Sequence, residues 1–344
     1  MAKVKYILTN FFKLFFISSL CLLLLFFTIE ILDDLPDIIS GEKIFLFSSY
    51  LCSLPSSFIQ ISPLITLVSG MFLASEMMKS NEIKIFEISG INTLKVFSIF
   101  LFASFLISIF TFCIENFVVP QITKIERTQK SISFSSSSLL FRADLFEGNG
   151  KFKNVEVSIL SKEGSIYSLK ANEGTYLGEK IWKFYNGTSY LIDRNGVLKK
   201  SENFNSKTIK IPLSSEILVI AGKNPDSLKL KELKMLIKEL KKLGFYPFLQ
   251  QTYYIEKISY PLLNLFILLI VFPFFLIKQK ITRFFVLSST IVLGFLSYGI
   301  YSFFIALAKE GKIHPFLGGW GFHLLIFFLF IIVSAKSYYK NLSF

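Results

Sequence analysis

The sequence predicts a membrane protein of six transmembrane helices with an extracytoplasmic all-β jelly-roll domain inserted after helix three. Three observations carry that expectation. Six apolar runs are each long enough to cross a hydrocarbon core of about 30 Å, which takes about 20 helical residues. They fall three and three, on either side of about 140 residues of polar, strand-patterned chain. The composition agrees: 52% of the 344 residues are hydrophobic, 41 are Phe, and the mean hydropathy is +0.57. That excludes a disordered chain, a disulfide scaffold and an ordinary cytosolic enzyme.

The first run spans about 12–32. Residues 14–29 look like the apolar part of a signal peptide, but no small-residue cleavage site follows; Glu30 and then Asp33-Asp34 do. It therefore reads as the first membrane helix. The second run, about 51–75, is expected to be broken by Pro55 and Pro63, and the third spans about 96–118. The last three run over about 257–277, 284–307 and 317–335. The organisation expected is 1–118 for helices one to three, 119–250 for the inserted domain and 251–344 for helices four to six.

Orientation follows from basic residues in the short loops. Lys3, Lys5, Lys13, Lys79, Lys84, Lys95, Lys278, Lys280, Arg283, Lys336 and Lys340 gather on one side; the other has Lys43, Lys309 and Lys312. Both termini are then cytoplasmic and the insert lies outside. Asp33, Asp34, Asp37 and Glu42 fall in the first outer loop.

The insert reads as β from about 131 to 225. Val155–Leu160 alternates, and short β-rich runs follow at Ile166–Ala171, Thr175–Leu177, Ile181–Tyr185 and Ser189–Ile192. Gly148-Asn149-Gly150, Glu163-Gly164, Asn186-Gly187 and Asn195-Gly196 are turn signals. The Ser135–Ser138 run reads as a loop. Many short strands between turns suggest a sandwich or jelly roll. From Pro225 the period changes. Leu228, Leu230, Leu233, Leu236, Ile237, Leu240 and Leu243 recur at helical spacing, with Ser227 as N-cap and Gly244 as stop. This is an amphipathic helix of about 227–243 with a basic polar face.

The net charge is +13, and residues 119–257 hold 23 Lys/Arg against 14 Asp/Glu. Because the charge flanks apolar segments and one inserted domain, no nucleic acid is implied. Either the lysines solvate loops, or the basic domain meets an anionic ligand such as a phosphorylated lipid. Cys21, Cys52 and Cys113 sit in or beside apolar runs without ligand spacing and read as small hydrophobes. A phosphate-cradling G-x-x-x-x-G-K-[ST] loop, a G-x-S-x-G elbow and an H-E-x-x-H pair are all absent. His314 precedes Pro315 at a helix end; His323 lies within the sixth run, where a packed side chain is as good a reading as a functional one. No catalytic residue and no metal site are expected.

The informative loop lies between helices two and three, Ser80–Asn92, with a short amphipathic helix at about 79–91. Ile83, Phe86, Ile85 and Ile88 are apolar, Glu82, Lys84 and Glu87 charged, and Gly90 can end the helix. Such a helix resembles the coupling helix of ATP-binding-cassette transporters; the alternative is an interfacial helix resting on the membrane.

Pro63–Asn92, with Gly70, Glu82, Asn81-Glu82-Ile83 and Ser89-Gly90, resembles helix two and the coupling helix of the lipopolysaccharide-export permeases, the LptF/LptG family. Glu115–Pro120 is similar to the family's exit into its outer domain. His314-Pro315 with Gly318-Gly319-Trp320 looks like the entry to its last helix. The resemblance spans the chain. Pro225-Asp226, the Leu-rich helix, and Tyr253, Lys257 and Pro261 look more like LptG than LptF. One position departs: where LptG proteins often carry a basic residue at the outer end of helix one, this chain has Glu30, and Lys43 or the basic outer domain would have to substitute.

The resemblance implies a permease subunit that extracts lipopolysaccharide from the inner membrane and passes it to a periplasmic bridge. It implies three kinds of partner: a homodimeric cytoplasmic ATPase, which alone would bind ATP, a paralogous permease, and lipopolysaccharide as substrate. It leaves open a third subunit, a single-span protein with its own periplasmic jelly roll. No cofactor is expected on this chain, which would sit in a bacterial inner membrane with the β domain periplasmic. Glu82 is the expected coupling carboxylate, with Ile83, Phe86 and Gly90 around it. Glu30, Asp33 and Asp34 would face the outer mouth. Tyr298 and Tyr301 would face lipid, or anchor the helix at the interface. Gly294, Ser297 and Gly299 would permit close helix contact. Two other classes stand beside this one. One is a stand-alone scaffold or sensor. The other is a membrane-embedded lipid-modifying enzyme, for which Glu115, Glu256 and Asp33/Asp34 are the available carboxylates.

Overall fold

A computed structural model describes residues 2–40, 47–125, 132–135, 139–148, 150–161, 164–211, 213–221, 223, 225–242, 246–275 and 282–342. Glu42, Lys43, Gly244, Lys278 and Lys280 lie outside them. So do parts of the Ser135–Ser138 run and of the turns at Asn149 and Glu163. The chain divides into two units, one of 1–119 with 252–344 and one of 120–251.

The first unit is helical. Its elements are α1 (Ala2–Ile39), α2 (Phe47–Lys79), α3 (Glu82–Ile88) and α4 (Thr93–Cys113). A π-turn at Ile114–Val118 carries α4 into α5 (Val119–Ile125). Six helices are long and apolar enough to cross a membrane: Val4–Ile39, Tyr50–Lys79, Thr93–Ile122, Phe248–Phe275, Phe284–Lys309 and Pro315–Lys336. Each outruns its apolar stretch because a helix keeps its hydrogen bonds beyond the hydrocarbon boundary. α1 therefore continues through Pro36, and the acidic residues expected in a loop instead occupy its last turns. Glu30, Asp33, Asp34 and Asp37 fall at i, i+3, i+4 and i+7, on one helical face.

α2 is not broken by its prolines. Pro63 has no N–H for the Ile59 carbonyl, and Ser62 Oγ donates to that carbonyl instead at 3.0 Å, the repair expected where water is absent. A polar clamp then ties α2 to the fourth span. Thr66 Oγ1 donates to Asn264 Oδ1 at 2.9 Å, while Asn264 Nδ2 donates to Ser62 Oγ and to the Pro261 carbonyl. Below it the phenylalanines interlock: Phe97 lies 5.0 Å from Phe272, and Phe100 is 5.6 Å from Phe11 and 5.1 Å from Phe275. Between apolar helices in lipid, such fitting is the attractive term. α1 is anchored by Ile7, Phe11 and Phe15 and leaves most of its remaining surface uncovered.

The second unit carries β1 (Ile132–Ser135), β2 (Leu139–Gly148), β3 (Lys151–Leu160), β4 (Ile166–Gly178), β5 (Ile181–Ile192) and β6 (Leu198–Lys210). They form one antiparallel sheet in chain order. The domain is all-β in its sheet as expected. Its pairing, which the sequence leaves open, joins each strand to its neighbour in sequence, with no Greek-key crossover among the described strands. α6 (Ser215–Ala221), a 3-10 turn at Pro225–Ser227, and α7 (Leu230–Lys242) follow. Ser227 therefore lies in the turn before α7, and Glu232 caps the helix instead, accepting from the Lys229 amide.

Asn186-Gly187 is not a turn. β5 runs straight through it, with Asn186 at φ 50°. Asn154 (φ 49°), Asn172 and Asn205 stand at the same step of the register, and Asp144 accepts from Asn154. The sheet is creased along this row. Each crossing inserts a residue, as a bulge does, so Phe152 and Val155, three apart, both point inward, as do Ala171 and Gly174. The crease lets the sheet close on its own aromatic core. Phe141 stands three strands from Trp182 and, through Val157, Leu169 and Ser189, seven ladder steps along from it, about 27 Å on a flat sheet, yet the ring centroids are 5.4 Å apart. A Cβ at Gly187 would collide with the Lys170 carbonyl, so the crease needs glycine there.

The remaining elements are α8 (Phe248–Ile267), a 3-10 turn at Leu268–Val271, α9 (Phe272–Phe275), α10 (Arg283–Lys309) and α11 (Pro315–Leu342). α8 to α9 form the fourth span; α10 and α11 are the fifth and sixth.

Candidate functional site

The α2–α3 corner is tight. Asn81 adopts the left-handed conformation at φ 58°, which asparagine tolerates. Gly90, at φ 77°, ends α3 with two bonds, Ile91 N–H to the Phe86 carbonyl and Gly90 N–H to the Glu87 carbonyl. This is the Schellman pattern, so Gly90 acts as the expected stop. Thr93 Oγ1 then donates to Glu87 Oε1 at 2.6 Å, bracing the entry to α4.

The two faces of α3 are apolar in opposite directions. Ile83 and Phe86 are each only 7% exposed and belong to the helical unit's own core. They fasten α3 to the bundle and do not present a surface to a partner. The outward pair is Ile85, 55% exposed, and Ile88, 88% exposed. Glu82 points back into the chain: its Oε1 accepts from Tyr6 Oη at 3.1 Å and from Ser80 Oγ at 2.9 Å. The carboxylate thus joins the start of α1 to the start of α3.

At the opposite end of α1 the acidic face meets α2. Tyr50 Oη donates to Asp34 at 2.7 Å, and Ser53 Oγ donates to Glu30 at 3.1 Å; Asp33 is exposed. Tyr298 is 46% exposed and takes a 3.5 Å contact from Gln60. Tyr301 does not face lipid. At 2% exposure it is enclosed by Tyr260, Phe322 and His323, with Ser259 Oγ 3.3 Å from its hydroxyl. His323 is itself packed against Phe266 and Trp320. Gly294 approaches Leu64 closely and Ser297 is buried, whereas Gly299 has open space around it.

The sequence reading did not anticipate the partners of the intramembrane acids. Glu115, on the π-turn, lies 3.7 Å from Lys257, and Glu256 lies 2.9 Å from Lys309, which sits 4.0 Å over the Tyr253 ring. Each of the two carboxylates thus faces a lysine. Among the described residues no three His, Cys, Asp or Glu side chains come together as a metal site.

A family model described as lipopolysaccharide export system permease LptF/LptG matches residues 5–336, and it does not separate the two branches. No curated protein matches the chain.

Proposed function

Because the chain belongs to the LptF/LptG family of lipopolysaccharide export permeases, we propose that it is the transmembrane half of a transporter powered by a separate ATPase. Two copies of that cytoplasmic ATPase would close on ATP and push α3, with a paralogous permease completing the membrane pair. The observation that carries the coupling reading is the two-faced α3. One pair of apolar side chains is spent on the bundle and a second, Ile85 and Ile88, is left outward on a helix already braced at both ends. An interfacial helix would need the outward pair only for lipid, and would not need the Glu82–Tyr6 link to α1. The loop-charge asymmetry favours cytoplasmic termini, a cytoplasmic α3 and a periplasmic β domain.

Within this reading Glu30, Asp33 and Asp34 line the outer mouth, and the first two polar contacts of that mouth run to α2. Tyr298 stays a lipid-facing candidate on α10. The family motifs noted around Tyr253, Lys257 and Pro261 favour the LptG branch, and a single-span periplasmic jelly-roll protein would complete the assembly. The test is a tagged pull-down from detergent-solubilised membranes, with mass spectrometry of proteins and lipids. Recovery of a cytoplasmic ATPase, a second permease of similar size and a lipid A-bearing glycolipid is expected, and the missing paralogue identifies this one. Recovery of the chain alone across mild detergents refutes the transporter reading in favour of a stand-alone scaffold.

A further inference from the structure

The polar face of α7 carries a stripe of lysines. At about 100° per residue, Lys231, Lys234, Lys238 and Lys241 fall within an arc of about 80°, and all four are exposed. The two carboxylates of the helix are engaged off this stripe: Glu232 with Lys223 at 2.8 Å and with the Lys229 amide at 2.9 Å, Glu239 with Lys242. Among the described residues no carboxylate pairs with the four ammonium groups. A helix dipole favours cations only in the last turn. That accounts for Lys241 and not for Lys231, which stands in the first turn of α7.

The apolar face is covered. Leu233, Leu236 and Leu240 are buried in the domain's own packing, beside α6. α7 is therefore held by its leucines and cannot lay them in a bilayer, as an interfacial helix does; what it presents outward is charge. The chain then changes character within a few residues. Tyr246 is 83% exposed, and its ring stacks on that of Phe248, also exposed, with centroids 6.1 Å apart. Phe248 opens the fourth span. An uncovered Tyr–Phe pair at the start of a membrane span suits the headgroup level, where amphipathic rings collect. Lys242 is four residues from Tyr246, so the covalent chain keeps the end of α7 within about 14 Å of that pair. That is close to the Debye length of about 10 Å at moderate salt. A soluble polyanion would need the lysines alone. The aromatic pair beside them selects a lipid interface.

We propose that the lysine stripe of α7 binds the anionic phospholipid headgroups of the bilayer that the chain's own spans cross, with phosphatidylglycerol as the representative class. The four lysines spread over about 15 Å of helix, and each one near an anionic surface strengthens binding about fivefold. Binding of this kind needs neither ATPase nor cargo. It holds on whichever side of the membrane the domain lies, because the fourth span starts from it.

The full chain is reconstituted into nanodiscs of phosphatidylcholine alone, with about one third phosphatidylglycerol, or with lipopolysaccharide in its place. A neutral acetylating reagent then labels the lysines, and peptide mass spectrometry gives the rate at each. In the phosphatidylglycerol discs, Lys231, Lys234, Lys238 and Lys241 should label about fivefold more slowly than in phosphatidylcholine. The difference should vanish in about 1 M salt, where the Debye length is about 3 Å. Lys199, exposed on β6 beside Asp193, should change less than about twofold. Lys234→Gln combined with Lys238→Gln should return Lys231 and Lys241 to within about twofold of their phosphatidylcholine rates. Both positions are exposed, so the melting transition should stay where it is. Equal slowing at Lys199 would reduce the effect to diffuse charge and overturn the docking surface. So would equal rates in the two phospholipids. Slowing by lipopolysaccharide alone would give the stripe to the export cargo and overturn the phospholipid, while leaving the permease reading intact.

Discussion

Ile88→Ala separates the two faces of α3. The side chain is 88% exposed, so docking has nearly its whole surface to remove from water. Full burial of an isoleucine is worth about 1.5–3 kcal/mol. Truncation to alanine then costs about 2 kcal/mol of docking, or about 30-fold in dissociation constant. The bundle should not notice, because Ile88 touches none of its core. Ile83→Ala is the mirror experiment: it hollows the interior, at about 2–5 kcal/mol of fold stability, and leaves the outer face in place. The assay immobilises the purified chain in neutral detergent and titrates its co-purified ATPase, with thermal unfolding measured on the same samples. Weak binding with normal melting is expected for Ile88→Ala, and lowered melting for Ile83→Ala. If Ile88→Ala binds within about twofold of the parent, while Ile83→Ala or Glu82→Ala binds poorly with normal melting, the faces have been assigned the wrong way round.

Tyr6→Phe removes the α1 donor from Glu82 at about 1 kcal/mol; ATPase binding should persist while lipid-stimulated hydrolysis falls, and unchanged stimulation would remove Tyr6 from the transmission path. Asn264→Ala deletes the α2–α8 clamp but leaves Ser62 and Thr66 their backbone acceptors. A loss of about 0.6–1.7 kcal/mol in thermal unfolding is expected, and a much larger loss would mean the hydroxyls cannot fall back on those carbonyls. Gly187→Ala places a methyl against the Lys170 carbonyl and should cost about 1–3 kcal/mol or more. Limited proteolysis should then cut within 120–251 while the helical fragments survive.

Much of the helical plan was legible because a membrane span writes itself in twenty consecutive apolar residues. Ends were not, since helix continues into polar sequence without a signal. Pro55 and Pro63 looked like breaks because the repair, Ser62 turning onto the Ile59 carbonyl, is a side-chain rotamer and not a pattern. In the β domain, Asn186-Gly187 has the chemistry of a hairpin turn. That chemistry is tolerance of positive φ, and a crease uses it as well as a turn does. β6 escaped notice because its lysine-rich sequence lacks alternation, as befits an exposed edge. At the site, the spacing of Glu82, Ile83, Phe86 and Gly90 located α3 but not its facing. A seven-residue helix with four apolar positions has no single hydrophobic side, and only the surrounding bundle decides which pair is inside. Tyr301 failed for the same reason: on a helix apolar all round, lipid and protein look alike.

α1 can be treated as a lever. Its fulcrum is the packed stretch from Ile7 to Phe15, and Asp34 lies about 34 Å beyond Phe11 at 1.5 Å per residue. One degree of tilt about that fulcrum moves the far end by about 0.6 Å. The pins there, Tyr50 to Asp34 at 2.7 Å and Ser53 to Glu30 at 3.1 Å, stretch past hydrogen-bond range after about 1 Å or less. A rotation of about two degrees at the Tyr6–Glu82 end is therefore enough to break these two hydrogen bonds, while Phe27 of α1 still packs edge-on against Tyr50 of α2. The polar latch at the outer end thus responds to a small stroke, and the aromatic contact beside it resists a larger one.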